Sequence, residues 1–75
     1  SGTIAVVQGW PGMTVSGEAA AAYDAVRLDS CENANKGPLI GADTDTGLVV
    51  YKDVTGAEKK LELGPHAIVL IRRGR

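Results

Sequence analysis

The chain contains no phenylalanine, a single cysteine, Cys31, and a single histidine, His66. One cysteine excludes an intrachain disulfide, and one cysteine with one histidine falls short of the three or four ligands of a zinc site. Small domains need such staples, or association with another molecule, because their cores supply only a few kcal/mol, about 3–5. With neither staple in the sequence, association is the favoured route to a stable fold, and we predict no metal site and no cofactor.

No segment approaches the about 20 consecutive apolar residues of a membrane-spanning helix. The start of the chain also lacks the basic and apolar regions of a signal peptide. Seventy-five residues make one domain, 1–75, and an apolar content of 44% argues against disorder. We therefore expect a single β-rich domain without membrane contact, located in a virion or otherwise in the cytoplasm.

Motifs of enzymatic chemistry are missing. The sequence has no G-x-S-x-G, no P-loop and no G-x-G-x-x-G. His66 follows Gly64-Pro65, a position typical of a turn or a strand edge, and no pattern places it beside Ser16, Ser30 or Cys31 as a base would require. We predict that the protein is not an enzyme.

The segment 43–47, Asp-Thr-Asp-Thr-Gly, resembles two functional motifs in part. Asp45-Thr46-Gly47 is similar to the catalytic triplet of retroviral-type aspartic proteases, but it follows a polar loop instead of an apolar strand. Counted as an EF-hand, the segment places Val54 where a bidentate glutamate belongs. Two interpretations stay open, a weak cation site at Asp43 and Asp45 or an ordinary turn with side chains bonded to local N–H groups.

Short runs rich in β-branched residues predict a mainly β fold. We expect a small sandwich or barrel of five or six short antiparallel strands, because turn signals recur about every 8–12 residues. The clearest strand segments are 3–8, 23–30, 48–52, 59–63 and 67–71, and 13–15 and 38–40 are candidates for further short strands. Loops are expected at 9–12, 31–37 and 41–47.

Three local predictions are specific. Residues 18–29 combine four alanines with an alternating end, so we expect one short helical turn near 18–23 and then a strand. Pro38 at the start of 38–40 is typical of an edge strand. Residues 48–52 and 59–63 form a hairpin in which Gly56 takes the left-handed position.

The C-terminal run 67–71 is apolar at every position, so a strand there needs cover on both faces. It is followed by arginines, and net charge is −5 over residues 1–58 but +4 over 59–75. These arginines either orient a partner or act as gatekeepers against aggregation. We predict that the interface is made of Trp10, Ile68, Val69, Leu70, Ile71, Arg72 and Arg73.

These observations favour a non-enzymatic structural or interaction module that forms homo-oligomers or docks on a larger assembly, for example as a viral capsid decoration (cement) protein. The alternative is a small β-barrel that binds a saccharide or nucleotide through Trp10, Tyr51, Asp43 and Asp45. An isoelectric point of about 5.6 argues against nucleic-acid binding.

Overall fold

Two antiparallel sheets make up most of the computed structural model, which describes residues 8–73. The strands are β1 (Gln8–Trp10), β2 (Thr14–Ser16), β3 (Tyr23–Arg27), β4 (Leu39–Asp43), β5 (Leu48–Lys52), β6 (Glu58–Glu62) and β7 (Ile68–Arg72). One sheet has the order β1-β7-β3 and the other β2-β4-β5-β6, with every pair antiparallel. The predicted mainly β fold is confirmed, with seven strands in the described residues where five or six were expected.

A 3₁₀ helix, Gly17–Ala22, connects β2 to β3 and confirms the short helical turn expected near 18–23. Ala20 of this helix is buried, and β3 begins at the residue that follows the helix. The strand expected over 23–30 is shorter than predicted. β3 ends at Arg27 because the chain turns there, with the N–H of Cys31 donating to the carbonyl of Arg27 at 2.8 Å.

Two boundaries near the start of the chain also differ. Residues 9–12 were expected as a turn, but Gly9 and Trp10 pair with β7 as part of β1, which confines the turn to Pro11 and Gly12. The strand predicted at 3–8 lies outside the described residues except for Gln8. The strand expected at 13–15 is found one residue later, as β2.

The strand expected at 38–40 and the loop expected at 41–47 are both present, but the edge position and the boundary between them were wrong. β4 runs on through Gly41 to Asp43 and occupies an interior position between β2 and β5. Gly41 and Ala42 are weak strand formers, but Ala42 is buried in the core and pairs with Val15 and Val49 on either side. Tertiary pairing therefore overrides local propensity, and a bulge after Leu39 absorbs the extra residue.

The core lies between the inner faces of the two sheets. Its buried apolar residues are Val15, Ala20, Ala25, Ala34, Leu39, Ala42, Val49, Tyr51, Ile68 and Leu70. Alternation along β5 follows the expected period of two, since Val49 and Tyr51 point inward while Leu48 and Val50 are half-buried on the opposite face.

Two buried polar side chains fix the loops around this core. Thr44 Oγ1 accepts a hydrogen bond from the N–H of Met13 at 2.7 Å and lies 3.2 Å from the carbonyl oxygen of Met13, to which it donates. Asn35 Oδ1 accepts from the N–H of Ala25 at 2.9 Å, and its amide donates to the carbonyl of Gly37. Both groups are thus satisfied, as burial requires, and they tie distant segments together.

Two glycines with positive φ serve different purposes. Gly56, at φ 85°, closes the β5–β6 hairpin as predicted, and a Cβ there meets nothing within 4 Å. Gly47, at φ 75°, lies against the backbone of Gly64, so that a Cβ would stand 1.9 Å from its carbonyl oxygen. Only Gly47 combines conformational need with close approach.

Replacing each glycine with alanine separates these two effects. We expect Gly56→Ala to lower the free energy of unfolding by about 1–2 kcal/mol, the cost of left-handed backbone. Gly47→Ala carries the same cost plus the clash with Gly64, giving a loss of about 3 kcal/mol or more. Urea unfolding of both variants at pH 7 tests this, and equal losses would contradict the close approach.

The tip of the β5–β6 hairpin is held by one carboxylate. Asp53 Oδ1 accepts hydrogen bonds from the hydroxyl of Thr55 at 2.6 Å, the N–H of Thr55 at 2.9 Å and the N–H of Ala57 at 3.0 Å. The bond from the Thr55 hydroxyl, followed by those two N–H groups and the charge of Lys59, lowers the pKa of Asp53.

Because the folded-state pKa lies below the unfolded value of about 3.9, the stabilising contribution is complete above that pH and is lost as the pH falls through the folded-state pKa. Asp53→Asn keeps an acceptor without the charge. We expect the difference in melting temperature between wild type and this variant to be largest at pH 7 and to shrink towards pH 2. A difference that stays constant from pH 7 to pH 2 would contradict this account.

Candidate docking surface

The two faces of β7 have different environments. Ile68 and Leu70 point into the core with exposed fractions of 2% and 0%. Val69 and Ile71 alternate with them and are half-buried on the opposite face of the sheet. The chain therefore covers the core side of this apolar strand completely and the opposite side only in part.

The neighbouring strands extend this outward side. Val26 of β3 stands opposite Val69, Asp24 stands opposite Ile71, and Gly9 of β1 stands opposite Ile71 on the other edge. Residues directly opposite in antiparallel strands project to the same side, so these five residues share one surface, here called the outer face.

Gly9 keeps the outer face flat. A Cβ on Gly9 would lie 3.1 Å from Cγ2 of Val69, which shows that the valine side chain leans over the glycine. A glycine within a strand often marks a place where other atoms approach closely. The centre of the outer face is thus aliphatic, with no side chain standing above Val69 from β1.

One ion pair lies at an end of the outer face. Another lies near the end of β3, where Arg27 stands opposite Ile68 and therefore projects to the core side of the sheet. Arg73 Nε is 3.2 Å from Asp24 Oδ1 beside Ile71, and Arg27 Nη2 is 2.9 Å from Asp29 Oδ2 near the other end of β3. The hydrogen bond from Arg27 lowers the pKa of Asp29 and raises that of Arg27. Exposed pairs of this kind contribute little to stability, typically below about 1 kcal/mol, and the Arg73–Asp24 pair gives the Ile71 end of the outer face a polar boundary.

The residues predicted as an interface are distributed over several environments. Val69 and Ile71 lie on the outer face, with Arg73 at its end. Trp10 stands opposite Leu70, on the side of the sheet turned to the core, and is 41% exposed where β1 ends. Arg72 is exposed.

Ile68 and Leu70 are enclosed by the chain itself, which leaves Val69 and Ile71 for any partner of this strand. Val26 and Asp24 were not predicted as part of the surface. The alternation around Val26 was visible in the sequence, but its cross-strand partner depends on the sheet register.

A half-open cavity of about 390 Å³ lies beside this sheet. Its lining residues are Arg27, Leu28, Asp29, Leu63, His66 and Ala67. Arg27 and Asp29 are bonded to each other, and His66 is the remaining polar side chain of the lining. The four residues named for ligand binding, Trp10, Tyr51, Asp43 and Asp45, do not line it, and Tyr51 is part of the core.

The acidic segment 43–47 forms the ordinary turn that was one of its two interpretations. The N–H of Asp45 donates to Asp43 Oδ1 at 2.9 Å, and the N–H of Gly47 donates to the carbonyl of Asp43 at 2.8 Å. Within residues 8–73 there is no group of three or more histidine, cysteine, aspartate or glutamate residues that could hold a metal ion.

Comparison with protein-family models, with curated proteins and with solved structures finds no match to this chain. In the part of the chain that the structure describes, no helix has both the length and the apolar character needed to cross a membrane.

A pair of identical substitutions on β7 tests the orientation of this strand. Ile68→Ala removes a fully buried side chain and is expected to lower the free energy of unfolding by about 2–5 kcal/mol. Ile71→Ala, on the outer face, should cost less, about 1 kcal/mol, because its side chain is only partly buried. Urea titrations of both variants give the comparison, and equal costs would mean that the outer face is as enclosed as the core.

Proposed function

We propose that this protein is a non-enzymatic interaction module that docks on a larger assembly through the outer face. The observation that carries the proposal is the aliphatic centre of that face, Val26, Val69 and Ile71, with the Arg73–Asp24 ion pair at one end. A centre depleted of charge with a polar rim is the usual composition of a protein–protein interface.

The size of the surface indicates what kind of docking is expected. A standard interface takes about 800 Å² from each partner, roughly one sixth of the 4946 Å² exposed by this molecule. Three half-buried aliphatic side chains supply only part of that, so each contact must be weak or must extend to Asp24 and Arg73. Weak contacts become effective when many copies bind an ordered array, since linked contacts gain avidity without new chemistry.

A capsid lattice offers such an array, and we propose decoration of a viral capsid as the specific role, with the virion as the location. Support for this version comes from the small size, the β-rich fold and the aliphatic outer face, which is an argument by analogy. Capsid genes adjacent to the gene for this protein would support it further.

Sedimentation with assembled capsid shells from the same genome tests the proposal. We expect wild-type protein to pellet with shells in a saturable manner and Val69→Lys to bind at least tenfold more weakly, because it places a charge in the aliphatic centre. Val54→Lys is the matched control, since Val54 is 96% exposed at a hairpin tip away from the outer face.

Thermal unfolding of both variants must show a folded protein before binding is compared. Wild-type protein that stays in the supernatant at every shell concentration would overturn the capsid version. Equal binding by Val69→Lys and wild type would overturn the role of the outer face.

A further inference from the structure

A second surface with a specific complementarity lies at the edge of the four-stranded sheet. β6 is the last strand in the order β2-β4-β5-β6, and no other strand of residues 8–73 pairs with its far side. Four of its five residues are exposed, and Leu61 is half-buried. Unpaired edges of this kind are sites where a further strand can add.

The backbone groups that face this edge follow from the hairpin register. The N–H of Asp53 donates to the carbonyl of Ala57, and the N–H of Leu63 donates to the carbonyl of Gly47, so odd-numbered residues point their backbone groups to β5. Since bonding direction alternates along a strand, the N–H and C=O groups of Glu58, Lys60 and Glu62 point to the free edge.

We propose that a second copy of this chain pairs with β6 in antiparallel orientation about a two-fold axis through Leu61. This register sets Lys60 of one copy opposite Glu62 of the other, twice, and Leu61 opposite Leu61. Lys60 and Glu62 are the residues whose backbone groups are free, so each pair also forms two backbone hydrogen bonds. The result is one continuous eight-stranded sheet.

The charges of β6 select this register over its neighbours. A two-fold axis perpendicular to the sheet sets one residue opposite its own copy. Glu58, Lys59, Lys60 and Glu62 would each face a like charge there, which is destabilising at cross-strand distance. Leu61 is the single uncharged residue of the strand, and the axis through it also forms the two opposite-charge pairs.

The expected dimer is weak. Four backbone hydrogen bonds and two exposed charge pairs must offset the loss of translational and rotational freedom, so dimerisation is expected only at high protein concentration. This edge lies in the four-stranded sheet and the outer face in the three-stranded one, so the two surfaces can be occupied together and tested separately.

Disulfide trapping tests the register directly. In a Cys31→Ser background, Leu61→Cys places a thiol opposite its own copy in a pair that is not hydrogen-bonded, where Cα atoms lie about 4.5 Å apart and a disulfide can form. We expect covalent dimer to accumulate at least tenfold faster than in Lys59→Cys or Leu63→Cys, which lie two residues from the axis. Equal rates for the three variants would overturn the register.

Charge exchange tests the same pairing without touching the half-buried leucine. By sedimentation equilibrium up to 1 mM, Lys60→Glu and Glu62→Lys should each dimerise at least tenfold more weakly than wild type. An equimolar mixture of the two variants, and the double variant K60E/E62K, should recover the wild-type affinity because opposite charges meet again. A wild type that is monomeric at 1 mM, or single variants that dimerise like wild type, would overturn the proposal.

Capsid binding separates this inference from the proposed function. The charge variants at positions 60 and 62 leave Val69 and Ile71 unchanged and should still pellet with shells. A protein that carries both Val69→Lys and Leu61→Cys should still form the disulfide-linked dimer. Either proposal can therefore fail while the other holds.

Discussion

The structure depends on one strand that is apolar on both sides. β7 supplies Ile68 and Leu70 to the core and at the same time presents Val69 and Ile71 on the outer face. The chain has one four-stranded sheet with which to cover it, and that sheet lies on the inner side. A strand in the middle of a sheet reads as a continuous apolar run when both of its faces are covered. Here the second layer of cover is incomplete in the described residues, and this is the physical basis for assigning a docking role to the outer face.

The core between the two sheets contains no phenylalanine and is packed largely with small side chains. Ala20, Ala25, Ala34 and Ala42 are all buried, and the largest fully buried side chains are only Ile68, Leu70, Val49 and Thr44. Alanines permit close approach but contribute little apolar area each, so the buried bonds of Thr44 and Asn35 carry much of the positioning. A core of this kind leaves modest stability, which agrees with the proposal that the remaining apolar surface docks on a partner.

Much of the fold is visible in the sequence because it rests on local signals. The β5–β6 hairpin follows from two alternating runs around Gly56, and β7 follows from β-branched residues. The extension of β4 beyond residue 40 was missed because Gly41, Ala42 and Asp43 have poor strand propensity and are held by partners on both sides, which is non-local information. The same reason limited the candidate surface. Composition pointed to 67–71, but the assignment of alternate residues to core and outer face, and the inclusion of Val26, required the register between β3 and β7.

Solvent access to individual methyl groups of the monomer in solution tests the two-sided character of β7 most directly. With a soluble paramagnetic agent, NMR relaxation should be enhanced strongly for the methyls of Val69 and Ile71 and weakly for those of Ile68 and Leu70. Samples diluted well below the dimer range keep association out of the measurement. Equal protection of all four side chains would contradict the account, because it would mean that the chain encloses both faces of β7 by itself and leaves no aliphatic surface for a partner.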